Sequence, residues 1–207
     1  MAAYIVIAII AYLIGSVNFS VIISKKMAGF DLREKGSGNA GSTNVLRTVG
    51  KKAAAITLVC DILKGVVAIF IAKVTGEIWK DLDAALLVQI AGILVVIGHT
   101  FPVFFKFKGG KGVATSLGVL VTTNWQIGLI CLVFALVLMI LTQMVSVGSI
   151  AAAILYPVLT IFITQNYIVP GSYIISSIIL AVLVVFNHRA NVKRILSGTE
   201  NKISFKK

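Results

Sequence analysis

Acidic residues are scarce in this chain. Seven Asp and Glu stand against 19 Lys and Arg in 207 residues, and the charged fraction is only 13%. That is about half the share usual in soluble domains, and it excludes a disordered, solvated chain or a charged coiled coil. Cysteine is as rare. Cys60 and Cys131 both lie inside apolar runs, so neither a disulfide framework nor a thiolate metal site is expected. Histidine occurs only at His99 and His188, with no cluster of Asp, Glu or Cys near either in sequence, so no metal is expected. What fills the chain is apolar. Hydrophobic residues make up 58% of it, and the mean hydropathy is +1.03. Soluble domains hold roughly 45–50% apolar residues, so lipid is the expected solvent for most of this surface.

A membrane span needs about 20 mostly apolar residues. Such runs cover Ala2 to about Ile23, Ala53–Ala72, Ala84–Gly98, Gly128–Leu141, Val147–Thr164 and Tyr173–Phe186. The first lacks a basic start and a small-residue cleavage site before Lys25, so it reads as a span and not as a signal peptide. A seventh run, Val113–Thr123, is too short to cross alone. Charge arbitrates. Sixteen of the 19 basic residues fall in Lys25–Lys52, around Lys106, Lys108 and Lys111, and in Arg189–Lys207. Basic loops face the cytoplasm. Only a path in which Val113–Thr123 also crosses puts all three stretches on that side. The expectation is therefore an all-α, polytopic integral membrane protein. It has about seven transmembrane helices, the fourth short or oblique, the N-terminus outside and the C-terminus cytoplasmic. Residues 1–207 form one domain.

The same three stretches carry the unusual sequence. The first, Gly36–Lys52, reads GSGNAGSTNVLRTVGKK. Glycines let backbone N–H groups turn towards an anion, hydroxyls and amides add donors, and Arg47 offers a fork matched to phosphate. A helix starting near Ser42 would add its dipole. A flexible linker shares the glycine and serine content. It does not usually set Asn39, Asn44 and Arg47 at helical spacing before a span. The second stretch, Gly98–Ser116, encloses Lys111 between Gly110 and Gly112 but is not a Walker P-loop. Lys106 and Lys108 read as ordinary positive-inside charges, and Phe101, Phe104, Phe105 and Phe107 suit the interface. In the third, His188, Asn191 and Arg194 recur every third residue, and Glu200 could orient an arginine. Asp61 and Lys64 form an intramembrane pair that is either functional or a helix-steering salt bridge. Ser146 and Ser149 either border the site or cap a helix.

Taken together, GSGNAGSTNVLR, GHTFPVFFKFKGGKGVAT and HRANVKRILSGTEN, with DILKG as a lesser match, resemble the motifs of the PlsY family. These are the bacterial acyl-phosphate:glycerol-3-phosphate acyltransferases. The resemblance covers the whole chain. It implies transfer of a fatty acyl group from acyl phosphate to the 1-hydroxyl of glycerol 3-phosphate, giving lysophosphatidic acid and phosphate, the first step of bacterial phospholipid synthesis. His188, Lys111 and Ser37 are the catalytic candidates. Substrate binding is expected of Gly36, Gly38, Asn39, Gly41, Ser42, Thr43, Asn44, Arg47, Lys64, His99, Gly109, Gly110, Gly112, Ser146, Asn191, Arg194 and Glu200. No cofactor is implied. The partners expected are the two substrates and the lipid bilayer, with no nucleic acid, for a monomer in the inner membrane whose site faces the cytoplasm.

The His-x-x-x-x-Asp signature of another acyltransferase class is absent, because Phe104 and Lys193 stand five residues after the histidines. Direct attack without an acyl-enzyme is expected. The substrate's own phosphate is the favoured base, since no carboxylate near His188 in sequence holds a basic tautomer. A transporter of phosphorylated metabolites is the rival reading. It would place polar groups at mid-membrane in two similar halves, and the chain has no internal repeat.

Overall fold

The computed structural model describes residues 1–166 and 171–203, with residues 163–166 described by backbone alone. Lys206 and Lys207 of the basic tail lie outside the described residues. Every regular element among the described residues is helical, and the packing divides into two compact units, Met1–Thr123 and Asn124–Lys207.

Unit 1 holds α1 (Ala2–Ser16), α2 (Phe19–Ala28), α3 (Ser42–Thr48), α4 (Lys51–Ile78), α5 (Ala84–Thr100) and α6 (Val113–Thr123). α1 packs along α5, and α4 packs along α5 and α6. Small residues let these helices close up. A Cβ on Gly15 would overlap the Val95 carbonyl, one on Gly65 the Thr115 carbonyl, and one on Gly118 the Ile62 carbonyl. Such close backbone approach is how helices associate where lipid removes the hydrophobic drive. α1 breaks at Val17, and Asn18 restarts the chain as the cap of α2 by accepting the Val21 N–H at 3.2 Å.

Unit 2 holds α7 (Trp125–Thr142), α8 (Val145–Asn166), α9 (Ser172–Asn187) and α10 (Arg189–Leu196). α8 packs on both α7 and α9. α9 and α10 meet at a 58° bend with His188 at the elbow.

Large apolar side chains face outward along the long helices. Phe70 is 63% exposed, Leu141 74% and Phe162 65%, which water would penalise and lipid does not. Five helical segments among the described residues are long and apolar enough to cross a membrane, or six if α9 and its bent partner α10 form one span. The helix Val113–Thr123 has the bounds the sequence predicts but remains below spanning length.

Candidate functional site

In unit 1 the first glycine-rich stretch folds as a loop with a core of its own. Leu32, Val45, Ala53 and Ala54 are buried together beneath it, and Phe30, Leu46 and Val49 pack against them. Asn44 organises the loop from inside. It is 1% exposed; its Oδ1 accepts the Ser37 N–H at 3.1 Å, and its Nδ2 donates to the carbonyls of Leu32, Lys35 and Asn39. Gly36 must be glycine here, since φ is +59° and a Cβ would overlap Asn44 Oδ1. Ser37 and Arg47 are exposed, while Asn39, Ser42 and Thr43 are half-buried. A helix does begin at Ser42, with Gly41 as its N-cap, but it runs only seven residues. Asn39 precedes it, so the three polar residues spaced for one helix face do not share one.

The second glycine-rich loop packs on the first. A Cβ on Gly110 would come within 2.6 Å of the Ala40 carbonyl oxygen and would overlap His99 Nε2. The Gly109 N–H donates to the Thr100 carbonyl and the Gly110 N–H to the His99 carbonyl, each at 3.1 Å. Lys111 follows, half-buried, before Gly112 at φ +88°. Behind the loop lies a buried charge cluster. The Lys64 ammonium donates to the carbonyls of Gly15 and Val17, both at 3.0 Å, and pairs with Asp61 at 3.1 Å. His99 Nδ1 lies 3.6 Å from the same Asp61 oxygen. Lys64 therefore sits where α1 leaves its last carbonyls unpaired, the end of a helix that favours a cation.

In unit 2 the chain after α10 folds back to bury Glu200. One carboxylate oxygen accepts from Ser146 Oγ at 2.9 Å and Asn191 Nδ2 at 2.7 Å, and the other from Arg194 Nε at 2.8 Å. Burial alone would push this carboxyl up. The three donors and the Arg194 charge outweigh it and hold Glu200 below the ordinary carboxylate range. His188 is 3% exposed. Its Nδ1 donates to the Val184 carbonyl at 2.7 Å, which leaves Nε2 as the acceptor of the neutral ring. Ser149 Oγ donates back to the Val145 carbonyl within its own helix, whereas Ser146 Oγ reaches Glu200.

Comparison with known proteins settles the family. The family model described as glycerol-3-phosphate acyltransferase matches residues 5–198. The chain belongs to the glycerol-3-phosphate acyltransferase family. It is 44% identical to the glycerol-3-phosphate acyltransferase of Clostridioides difficile, over 99% of this chain and 98% of that one. Its identity to the protein of that name from Thermoanaerobacter sp. is 47%, over 96% and 95%. It is also similar to the crystal structure of PlsY, an integral membrane glycerol 3-phosphate acyltransferase, in its glycerol 3-phosphate form. There the TM-score is 0.87 at 37% identity, covering 98% of this chain and 96% of that chain. For the lysophosphatidic acid form the TM-score is 0.84 at 35% identity.

Within this acyltransferase chain, unit 1 brings Gly36–Thr43, Gly109–Gly112 and His99 together, and unit 2 brings Ser146, Asn191, Arg194 and Glu200 together. Sequence reading passed over Asp31 and Arg33, counting the arginine only as a loop charge. Arg33 Nη2 pairs with Asp31 at 2.7 Å, and its Nη1 donates to the Phe105 carbonyl at 2.7 Å. Two opposite charges two positions apart, just before the glycine run, were the available signal. Arg33 beside Asp31 holds that carboxyl well below the usual carboxylate range. Among the described residues no group of three or more His, Cys, Asp or Glu could hold a metal ion.

Proposed function

We propose that this family member transfers a fatty acyl group from acyl phosphate to the 1-hydroxyl of sn-glycerol 3-phosphate, releasing lysophosphatidic acid and inorganic phosphate. The observation that carries the reading is the contact of Gly110 with Ala40. It joins two glycine-rich loops, one bearing Ser37 and the other Lys111, into a surface suited to an anion. The relatives' names and the ligands of the two PlsY structures support glycerol 3-phosphate as acceptor. They speak against the transporter reading.

Acyl phosphate is already activated and its phosphate leaves without a strong acid. The protein's work is to place two anions, stabilise the developing oxyanion and take one proton. Ser37, Asn39, Thr43 and Lys111 are assigned to the acyl phosphate, with the Lys111 ammonium neutralising the leaving phosphate. In unit 1 Arg47 offers a planar fork matched to the phosphate of glycerol 3-phosphate, and in unit 2 Asn191 and Arg194 are the candidates for the same ligand. Asn44, Lys64 and Glu200 shape these elements from within, Glu200 by holding Asn191 and Arg194 in place. His188 Nε2 takes the hydroxyl proton as the oxygen attacks the acyl carbonyl and the carbon–phosphate oxygen bond breaks.

The 16 basic residues at loops and tail support a seven-span path with the N-terminus outside, the C-terminus cytoplasmic and the site on the cytoplasmic face of the inner membrane. On that path the whole chain works as one acyltransferase domain and as a monomer. The decisive experiment is incubation of the purified protein in detergent with glycerol 3-phosphate and either acyl phosphate or acyl-CoA. Lysophosphatidic acid should form with acyl phosphate alone. Turnover with acyl-CoA alone would replace the donor.

A further inference from the structure

The second glycine-rich loop holds a corner that its own residues do not favour. Lys106 and Phe107 follow one another at φ 57° and 58°, in the left-handed region where side chains other than glycine are uncommon. The Phe107 N–H returns to the Pro102 carbonyl and the Lys108 N–H to the Phe105 carbonyl, so the corner is tight. Conformations of this kind persist only where the surroundings over-determine them.

Arg33 supplies that determination from the other loop. Its Nε and Nη2 grip the two oxygens of Asp31 at 2.9 and 2.7 Å, and its Nη1 reaches the Phe105 carbonyl at 2.7 Å. Its guanidinium also lies 5.9 Å from the Phe105 ring centroid. Asp31 is itself anchored, accepting the Arg33 N–H at 3.1 Å and pairing with Lys25 at 3.3 Å. Only a planar group with donors on two edges can hold a carboxylate and a distant carbonyl at once. A rigid strut thus runs from the chain just before Gly36 to the chain just before Gly109.

We propose that Arg33, braced by Asp31, is a positioning residue for the acyltransferase reaction. It fixes the Phe105–Phe107 corner and so the direction in which Gly109–Gly112 present Lys111 to the phosphate of the acyl donor. This rests on the reading of that loop as the acyl phosphate site.

The test uses the full-length protein in detergent, with KM for each substrate, kcat and the thermal unfolding midpoint measured for Arg33→Lys, Asp31→Asn and Lys111→Ala. Arg33→Lys should lower kcat/KM for acyl phosphate by roughly 10–100-fold, the scale of a small misplacement of reacting groups. The KM for glycerol 3-phosphate and the unfolding midpoint should stay near those of the parent. Asp31→Asn should move the same parameter by less. Adding Lys106→Gly to Arg33→Lys should recover part of the loss, because glycine takes the left-handed corner without strain. If Lys111→Ala is impaired while Arg33→Lys is normal, the strut is overturned and the loop assignment stands. If Lys111→Ala is normal, the loop assignment falls and the strut with it. Equal changes in both KM values that follow a lowered midpoint, or no recovery with Lys106→Gly, also overturn the proposal.

Discussion

His188 occupies the elbow where α9 ends and α10 begins, and its ring is tied back to Val184 one helical turn earlier. The sequence favoured the substrate phosphate as base because no nearby carboxylate could fix the ring. A backbone carbonyl fixes it instead, and the proposal of Nε2 as the base rests on that bond. Both His188→Ala and His188→Asn should therefore lose roughly 10²–10⁴-fold in rate, with the limb of the pH–rate profile gone. Activity and pH profile retained in His188→Asn would return the role to the substrate. Glu200 gives a second prediction, with a definite sign. Its folded pKa is depressed, so its contribution to stability is present above the ordinary carboxylate value of about 4.3 and fades as pH falls through the lower folded value. Unfolding monitored against pH should show this loss only in acid. Glu200→Ala, at neutral pH, leaves the Ser146 hydroxyl and Asn191 amide buried without their acceptor, at about 1–3 kcal/mol each. An unfolding midpoint equal to that of the parent would show that Glu200 anchors nothing.

Hydropathy placed the helices better than it placed their ends. The second run reads as Ala53–Ala72, yet α4 extends over Lys51–Ile78, because Lys73 and Glu77 halt a hydropathy window without halting a hydrogen-bonded backbone. Lys73 donates to the Thr122 carbonyl and Glu77 pairs with Lys80, so each finds a polar partner where the helix emerges. α6 is only 11 residues, about 16 Å at 1.5 Å per residue, and its hold on α4 depends on backbone proximity. Gly118→Val should force the two helices apart, since its side chain would enter the Ile62 carbonyl. The expected cost is about 1–3 kcal/mol, read as a lower thermal midpoint in detergent with a parallel loss of activity, because α6 begins at the Lys111 loop. An unchanged midpoint would mean that α4 and α6 do not depend on this contact. Spacing misled at α3, where Asn39 precedes the helix and Asn44 turns inward while Arg47 stays exposed.

Charge asymmetry over the entire chain yields the topological prediction. A reporter fused after Lys207 should read cytoplasmic and one before Tyr4 external; both on one side would rule out seven spans. The class of solvent, the approximate number of helices and the three polar stretches were legible in the sequence alone. Hydropathy and loop charge add residue by residue along the chain, so no tertiary contact is needed to sum them. The motif residues were legible as types, since glycine, hydroxyl, amide and guanidinium groups state their chemistry wherever they stand. Which of them look inward was decided only by the folded chain. Lys64 meets carbonyls of Gly15 and Val17, Arg33 meets Phe105, and Ser146 meets Glu200. Each bond joins residues far apart in sequence, and a hydrogen bond exists only at a short distance and a narrow angle. Helix packing sets both, and spacing along the chain encodes neither.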